Sequence, residues 1–498
     1  MATSATPTSG DVPVVGDTSA PRSALYRAVW RWHFFAGLFT IPVIVLLCIT
    51  GIVYLFRPQL DGLMYGHLRD VPVGHDQATY QSQLAQVQRA FPKATIVSAQ
   101  PPPEADRSTQ FDIVTADGDN RSVYVDPYST RLLGSRDNDR SLTQIALLLH
   151  GSLMTGSWLG NEKWGDWFIE IIAGWAILLL VTGIILWWPR GVRRTTMRGV
   201  LVPRWRHNSS RVTWRDVHAI TGVLFAFISL FFLVTGMAWT GWWGTKYQEG
   251  ATKVGSSYPD ALLNGVSSTK VGDLATTGKT PWASSSLPVA LSGEPGNKAT
   301  HIQHHGAGVV SWDPTKGAPL DAVVTSAQKL GFKPGYAIFF PADETGSYSV
   351  NLGPDLDPAP NQSALDARVA FIDQYTAEPL QSVNFSQFGV MAQATDLGIS
   401  LHEGREWGIW SQLLALLGTV AILLSCATSL VMWRKRRPKG VGAPKRVPSR
   451  RATVTVLGVG VGLGILFPLL GLSIAAVLIL DLFVIRRIKP LARIFGSA

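Results

Sequence analysis

Residues 31–51 read RWHFFAGLFTIPVIVLLCITG, with a glycine four residues after His33 and a Thr50-Gly51 pair starting seventeen residues after it. Residues 215–236 read RDVHAITGVLFAFISLFFLVTG and repeat both spacings with His218, Gly222 and Thr235-Gly236. Two unrelated apolar segments would rarely share this register. Each lies in an apolar run of about 20 residues, the length that crosses roughly 30 Å of hydrocarbon. The runs are 33–56 and 214–243, and two more occupy 167–188 and 407–433. A fifth apolar stretch, 454–485, is broken by Pro468. The chain of 498 residues is 46% hydrophobic and 16% charged, less charge than a soluble protein carries.

The formal charge of +10 maps to the membrane rather than to nucleic acid. Residues 190–215 hold eight arginines and no acid, and 434–451 hold nine Lys/Arg and no acid. Both adjoin apolar runs, and Lys/Arg collect in cytoplasmic loops. The expected chain is therefore a multi-pass membrane protein with its N-terminus inside. The layout runs as a tail (1–32), helix 1 (33–56), an external segment (57–145), a His150 segment with helix 2 (146–188) and a basic loop (189–213). Helix 3 (214–243), a second external segment (244–400), a His402 segment with helix 4 (401–433) and a second basic loop (434–452) follow. A C-terminal hydrophobic hairpin (453–487) turning at Pro468, with one long helix as the alternative, and a tail (488–498) close the chain. Residues 1–20 show no apolar signal core, so helix 1 is expected to act as its own membrane signal. The glycines at 458, 460, 462 and 464 form overlapping GxxxG spacings suited to close helix packing. Cys48 and Cys426 lie in apolar runs and read as small core residues.

The rest of the chain also repeats. Leu149-His150-Gly151, Trp164-Gly165 and Thr182 correspond to Leu401-His402-Glu403-Gly404, Trp407-Gly408 and Ser425, with eighteen residues from Trp to Thr/Ser in each. The external segments share Tyr124-Val125-Asp126-Pro127-Tyr128 and Phe371-Ile372-Asp373-Gln374-Tyr375. Each reads as a helix followed by hairpin strands, after an irregular Gly/Ser/Thr/Pro-rich stretch at about 250–300 in the second. The chain is two copies of one unit, an outward helix, an external α+β domain and an inward helix.

Four of the ten histidines fall at equivalent places in these copies. Topology sorts them into an inner pair, His33 and His218, and an outer pair, His150 and His402. Neutral imidazole is a metal ligand and a standard axial ligand of haem iron, and an apolar macrocycle fits between helices of a bundle. Gly37 and Gly222, one turn from His33 and His218, would let a flat ring approach the backbone. Arg31 and Arg215, with Arg27 and Arg211, lie where propionates would emerge, and a guanidinium binds a carboxylate bidentately. Interfacial histidines bonded to headgroups, a zinc site and a proton relay are the competing readings. His301, His304 and His305 form an H-x-x-H-H cluster that reads as a solvated loop or a weak metal site, and His67, His75 and His207 take no role.

These motifs, with Thr182-Gly183 and Trp187-Trp188-Pro189-Arg190, resemble the PepSY-associated transmembrane family, which includes iron-regulated inner-membrane proteins and ferric-siderophore reductases of bacteria. The resemblance covers about residues 22–437. It implies four core transmembrane helices plus the C-terminal hairpin, with two α+β PepSY-like periplasmic domains. It also implies an oxidoreductase of the inner membrane that holds b-type haem with helix histidines, and His33, His150, His218 and His402 carry over. With the inner and outer pairs read from topology, two haems are expected, one ligated by His33 with His218 and one by His150 with His402. Electrons would pass from an unidentified donor, quinol or a cytoplasmic reductase, to a ferric siderophore or other iron chelate. No nicotinamide or flavin fingerprint is present, since the glycines at 458–464 follow no strand. A haem-bearing subunit of another enzyme and a PepSY-type envelope sensor without redox activity are the alternatives.

Overall fold

A computed structural model describes residues 19–188, 199–205, 209–257, 266–274, 282–285, 287–292, 317–353, 362–436, 441–442 and 449–495. The first repeat runs α1 (Ser19–Leu55), α2 (Arg57–Arg69), α3 (Tyr80–Ala90), β1 (Thr95–Gln100), β2 (Thr109–Val114), β3 (Asn120–Val125), β4 (Leu132–Asp137), α4 (Leu142–Ser152), α5 (Thr155–Leu159) and α6 (Lys163–Trp187). The second opens with α7 (Ser210–Leu224), α8 (Ala226–Met237) and α9 (Trp243–Lys253). A small excursion follows, β5 (Val266–Lys270), α10 (Val271–Leu274), α11 (Trp282–Ser285) and β6 (Pro288–Ala290). The repeat then resumes as α12 (Leu320–Lys329), β7 (Ala337–Phe339), β8 (Tyr348–Leu352), β9 (Arg368–Ile372), β10 (Pro379–Asn384), α13 (Val390–His402) and α14 (Ile409–Arg436). Three helices, α15 (Arg450–Leu466), α16 (Pro468–Leu480) and α17 (Lys489–Ile494), end the described chain.

Four helical segments among the described residues are long and apolar enough to span a membrane, Ala24–Leu55, Lys163–Trp187, Ile409–Arg436 and Pro468–Ile485. The pair α7 and α8 makes a fifth if counted together, but it bends by 55°. The expected single span at 214–243 is thus broken. No proline marks the break; Phe225 leaves the helical basin at φ −102°, ψ 10° and interrupts the hydrogen-bond ladder. Pro42, by contrast, lies within an unbroken α1.

The chain divides into two compact units, one of residues 1–40, 174–223 and 428–498, the other of 41–173 and 224–427. The second unit holds the strands. The sequence leads one to expect two α+β domains; eight strands, four from each, instead form one antiparallel sheet, β10-β9-β8-β7-β1-β2-β3-β4, and β5 pairs with β6 in a second. Two four-stranded meanders join where β1 pairs with β7, Ser98 opposite Phe339 and Ala99 opposite Ile338. Such pairing between distant segments leaves no local sequence signature. One face buries Leu84 and Val87 of α3 and Val323, Val324 and Ala327 of α12 against Phe111, Ile113, Ile338 and Ile372. The two helices also cap one another. The Tyr80 and Gln81 amides donate to the Asp321 carboxylate at 2.8 and 3.0 Å, and the Leu320 amide donates to Gln81 Oε1 at 3.0 Å.

The two copies keep the same turn. The Tyr128 amide donates to Asp126 Oδ1 at 2.9 Å, and the Tyr375 amide to Asp373 Oδ1 at 2.9 Å. Thr130 and Ala377 both adopt φ 57° at the matching step. The paired Asp-x-Tyr motifs are therefore side-chain-stapled hairpin turns.

In the first unit, α15 and α16 run antiparallel about Phe467, and a Cβ on Gly464 would lie 2.7 Å from the Gly471 Cα. The Trp175 indole donates to Ser473 Oγ at 3.0 Å, which seats α16 on α6.

Candidate functional site: two histidine pairs

Each unit brings together one pair of histidines, and each pair takes one member from each repeat. His33 on α1 and His218 on α7 have ring centres 6.3 Å apart and ring planes at 75°. His150 on α4 and His402 on α13 have ring centres 6.4 Å apart and planes at 89°. The second pair does not ride on the spanning helices themselves. α4 and α13 are short helices that precede α6 and α14 in the chain.

Every one of the four rings is held by a threonine of its own repeat. Nδ1 of His33 lies 2.9 Å from Thr182 Oγ1, and Nδ1 of His218 lies 3.2 Å from Thr428 Oγ1. Nδ1 of His150 lies 3.2 Å from Thr50 Oγ1, and Nδ1 of His402 lies 2.9 Å from Thr235 Oγ1. A threonine hydroxyl has a single proton. Thr182 donates its proton to the Leu178 carbonyl at 2.6 Å, Thr50 to Leu46 at 2.9 Å and Thr235 to Phe231 at 2.7 Å. These hydroxyl oxygens are then left to accept, so Nδ1–H of the imidazole is the donor. For His150 the point is independent of the hydroxyl, because the Leu47 carbonyl, which only accepts, lies 2.9 Å from the same nitrogen. With the proton on Nδ1, a neutral ring offers the Nε2 lone pair for ligation.

The glycine after threonine completes the seat. A Cβ on Gly51 would lie 3.1 Å from Cε1 of His150, on Gly183 3.3 Å from Cε1 of His33, and on Gly236 3.5 Å from Cε1 of His402. The Thr-Gly pair, which the spacing identified only as a repeat marker, is where a histidine from another helix docks. The fourth seat corrects the repeat alignment. Its threonine is Thr428, followed by Ser429, and not Ser425. A Cβ on Gly222, one turn from His218, or on Gly151 would meet no protein atom within 4 Å.

The arginines named from sequence have partners of their own. The Arg31 guanidinium lies 4.9 Å above the Phe35 ring. Arg215 pairs with Asp216 at 2.7 Å. Asp216 is 1% exposed and also takes a bidentate bond from Arg204 at 2.7 and 2.9 Å. Asp216 is the residue sequence reasoning passed over; its signal was a lone acid amid a basic stretch. Phe232 packs against His402 with ring centres 4.9 Å apart. His301, His304, His305 and His207 lie outside the described residues. Among the described residues no group of three or more His, Cys, Asp or Glu has metal-binding geometry.

The family model described as PepSY-associated TM region matches residues 30–436. The chain belongs to this family. No curated protein matches it. In this PepSY-associated protein the matched region holds both histidine pairs and all four threonine seats, and it ends at the last residue of α14. The helices α15 to α17 lie beyond it.

Proposed function

We propose that this PepSY-associated membrane protein is a di-haem reductase, with one b-type haem between His33 and His218 and another between His150 and His402. The observation that carries the reading is the ring separation. An imidazole nitrogen lies about 2 Å from a metal it ligates and its ring centre roughly 1 Å further out, so two histidines holding one metal between them would have ring centres about 6 Å apart. The pairs stand at 6.3 and 6.4 Å. Two nitrogens are also the right number. A structural zinc site takes four protein ligands, whereas a macrocycle brings its own equatorial donors and asks for two. The side-chain-free position at Gly222, one turn from His218, suits a flat ring.

Bound at these pairs, haem supplies one-electron transfer, and the substrate would be an external ferric chelate such as a ferric siderophore, reduced to weakly held Fe(II). The protein's own work is to hold and orient. The four histidines present Nε2 and the threonines fix the rings; Arg31, stacked on Phe35, and Arg215, which also pairs with Asp216, would receive the carboxylates of the group held by the first pair. On the charge pattern, the N-terminus is cytoplasmic and the sheet lies on the opposite side; the family resemblance implies that this side is the periplasm and the membrane the bacterial inner membrane. The donor is a quinol or a cytoplasmic reductase.

Absorption spectroscopy of the purified chain tests this directly. A reducible Soret band with two haems per chain is expected, and its absence would sink the proposal. Single His→Ala variants should lose haem in the groups 33 with 218 and 150 with 402. Dithionite-reduced protein should reoxidise on adding a ferric chelate. A protein that holds haem but reduces no chelate in a panel would be an electron-transfer subunit instead.

A further inference from the structure

We infer that Thr182, Thr428, Thr50 and Thr235 are positioning residues that select Nε2 of each paired histidine as the ligating nitrogen and set how strongly it donates. The inference rests on the haem reading above and adds residues to it. Its basis is four threonine–histidine contacts and the direction of the proton in three of them. In three of the four seats the threonine donates to a carbonyl of its own helix, within 2.6–2.9 Å, and therefore accepts from the histidine. Thr50 and Thr182 make a second contact with the carbonyl three residues back, at 3.1 Å to Leu47 and 3.2 Å to Leu179. The Leu47 carbonyl is also an acceptor for His150, so this nitrogen faces two oxygens of one helix turn.

A threonine bonded to its own helix is common and by itself means only local satisfaction of a hydroxyl. That accounts for the threonine's proton. It does not account for three such threonines, with Thr428 as a fourth seat, on four helices, each meeting one of the two histidine pairs. Nor does it account for the glycine that follows three of them and faces the imidazole edge. The arrangement does for a metal-ligating histidine what second-shell acceptors do elsewhere. It fixes the tautomer and ring orientation, and it raises the basicity of the ligating nitrogen. A more basic ligand favours the ferric state, so each seat lowers the potential of the iron it serves. The near-perpendicular ring planes, 75° and 89°, are held by the same bonds.

The test uses the full-length purified protein and four variants, T182V, T182S, T235V and T235S. Valine keeps the shape of threonine without the acceptor; serine restores the hydroxyl. Redox titration and electron paramagnetic resonance of the oxidised protein are read alongside haem content. In T182V one of the two midpoint potentials should rise and one low-spin ferric signal should change shape, with the other haem unmoved; T235V should do the converse. A tenfold loss of ferric preference corresponds to a rise of 59 mV for one electron, and haem affinity should fall about 10–100-fold. Serine should return both readouts to the parent values. Loss of haem in valine but not serine would support the seat equally. Unchanged potentials and signals in both valine variants would overturn it, as would identical loss in valine and serine. A parent protein without a Soret band would overturn the haem reading itself, a distinguishable failure.

Discussion

Adding one carbon at each seat glycine should produce a graded response that the distances rank in advance. Alanine at Gly51 would place Cβ 3.1 Å from Cε1 and 3.5 Å from Nδ1 of His150. At Gly183 the nearest approach is 3.3 Å, to His33, and at Gly236 it is 3.5 Å, to His402. Carbon atoms rest at about 3.5–4.0 Å, so Gly236→Ala needs no movement and Gly51→Ala needs the most. His150 has little freedom to retreat, because its Nδ1 is held by Thr50 and by the Leu47 carbonyl. Overpacking costs about 1–3 kcal/mol, and alanine for glycine in a helix interior returns about 1 kcal/mol. Gly236 is the last residue but one of α8, so Gly236→Ala should be near neutral, and Gly51→Ala, inside α1, should lose up to about 2 kcal/mol. Gly183→Ala should fall between. Unfolding of the detergent-solubilised protein would give the ranking. Greater damage from Gly236→Ala than from Gly51→Ala would refute the docking geometry.

Asp216→Asn should destabilise the first unit by about 3–5 kcal/mol, toward the lower end because Arg204 keeps some contact with water; chemical denaturation measures it, and a loss under about 1 kcal/mol would refute it. Asp321→Ala should cost about 1–2 kcal/mol by uncapping α3, read by the same method. Burial pushes the Asp126 carboxyl up, but the Ser129 side chain, the Tyr128 and Ser129 amides and Arg131 outweigh it and hold the group below its ordinary value of 3.8. A depressed carboxyl stabilises above its unfolded pKa and loses that contribution as pH falls through the folded one. The parent should therefore lose stability more steeply than Asp126→Asn below pH 3.8. Parallel acid-unfolding curves would count against the turn's role. Gly174→Leu should loosen α16 from α6, since a Cβ there would lie 2.9 Å from Leu470. Faster proteolysis within α15 to α17 is the expected result.

Much of this was legible in the residues, and the boundary is physical. Spanning helices announce themselves because twenty apolar residues in a row have few other uses. The pairing of His33 with His218 and His150 with His402 followed from repeat symmetry, and the structure brings those rings together. The threonines were visible as spacing but not as chemistry, because a hydrogen bond between helices depends on helix rotation, which sequence spacing does not give. Thr428 escaped because spacing from Trp407 pointed to Ser425. The single sheet escaped because the β1–β7 edge joins segments more than two hundred residues apart. The bend at Phe225 carries no proline to flag it.

The cross-repeat pairing also says what a severed protein would do. The threonine seats lie within a repeat, whereas every histidine pair spans two. A half-chain would therefore carry both of its seats furnished and no complete site, and only its complement could supply the missing rings. Two fragments divided between α6 and α7 should each lack both ring pairs and should restore them only together. Neither half can be lost without removing one ring from both pairs at once.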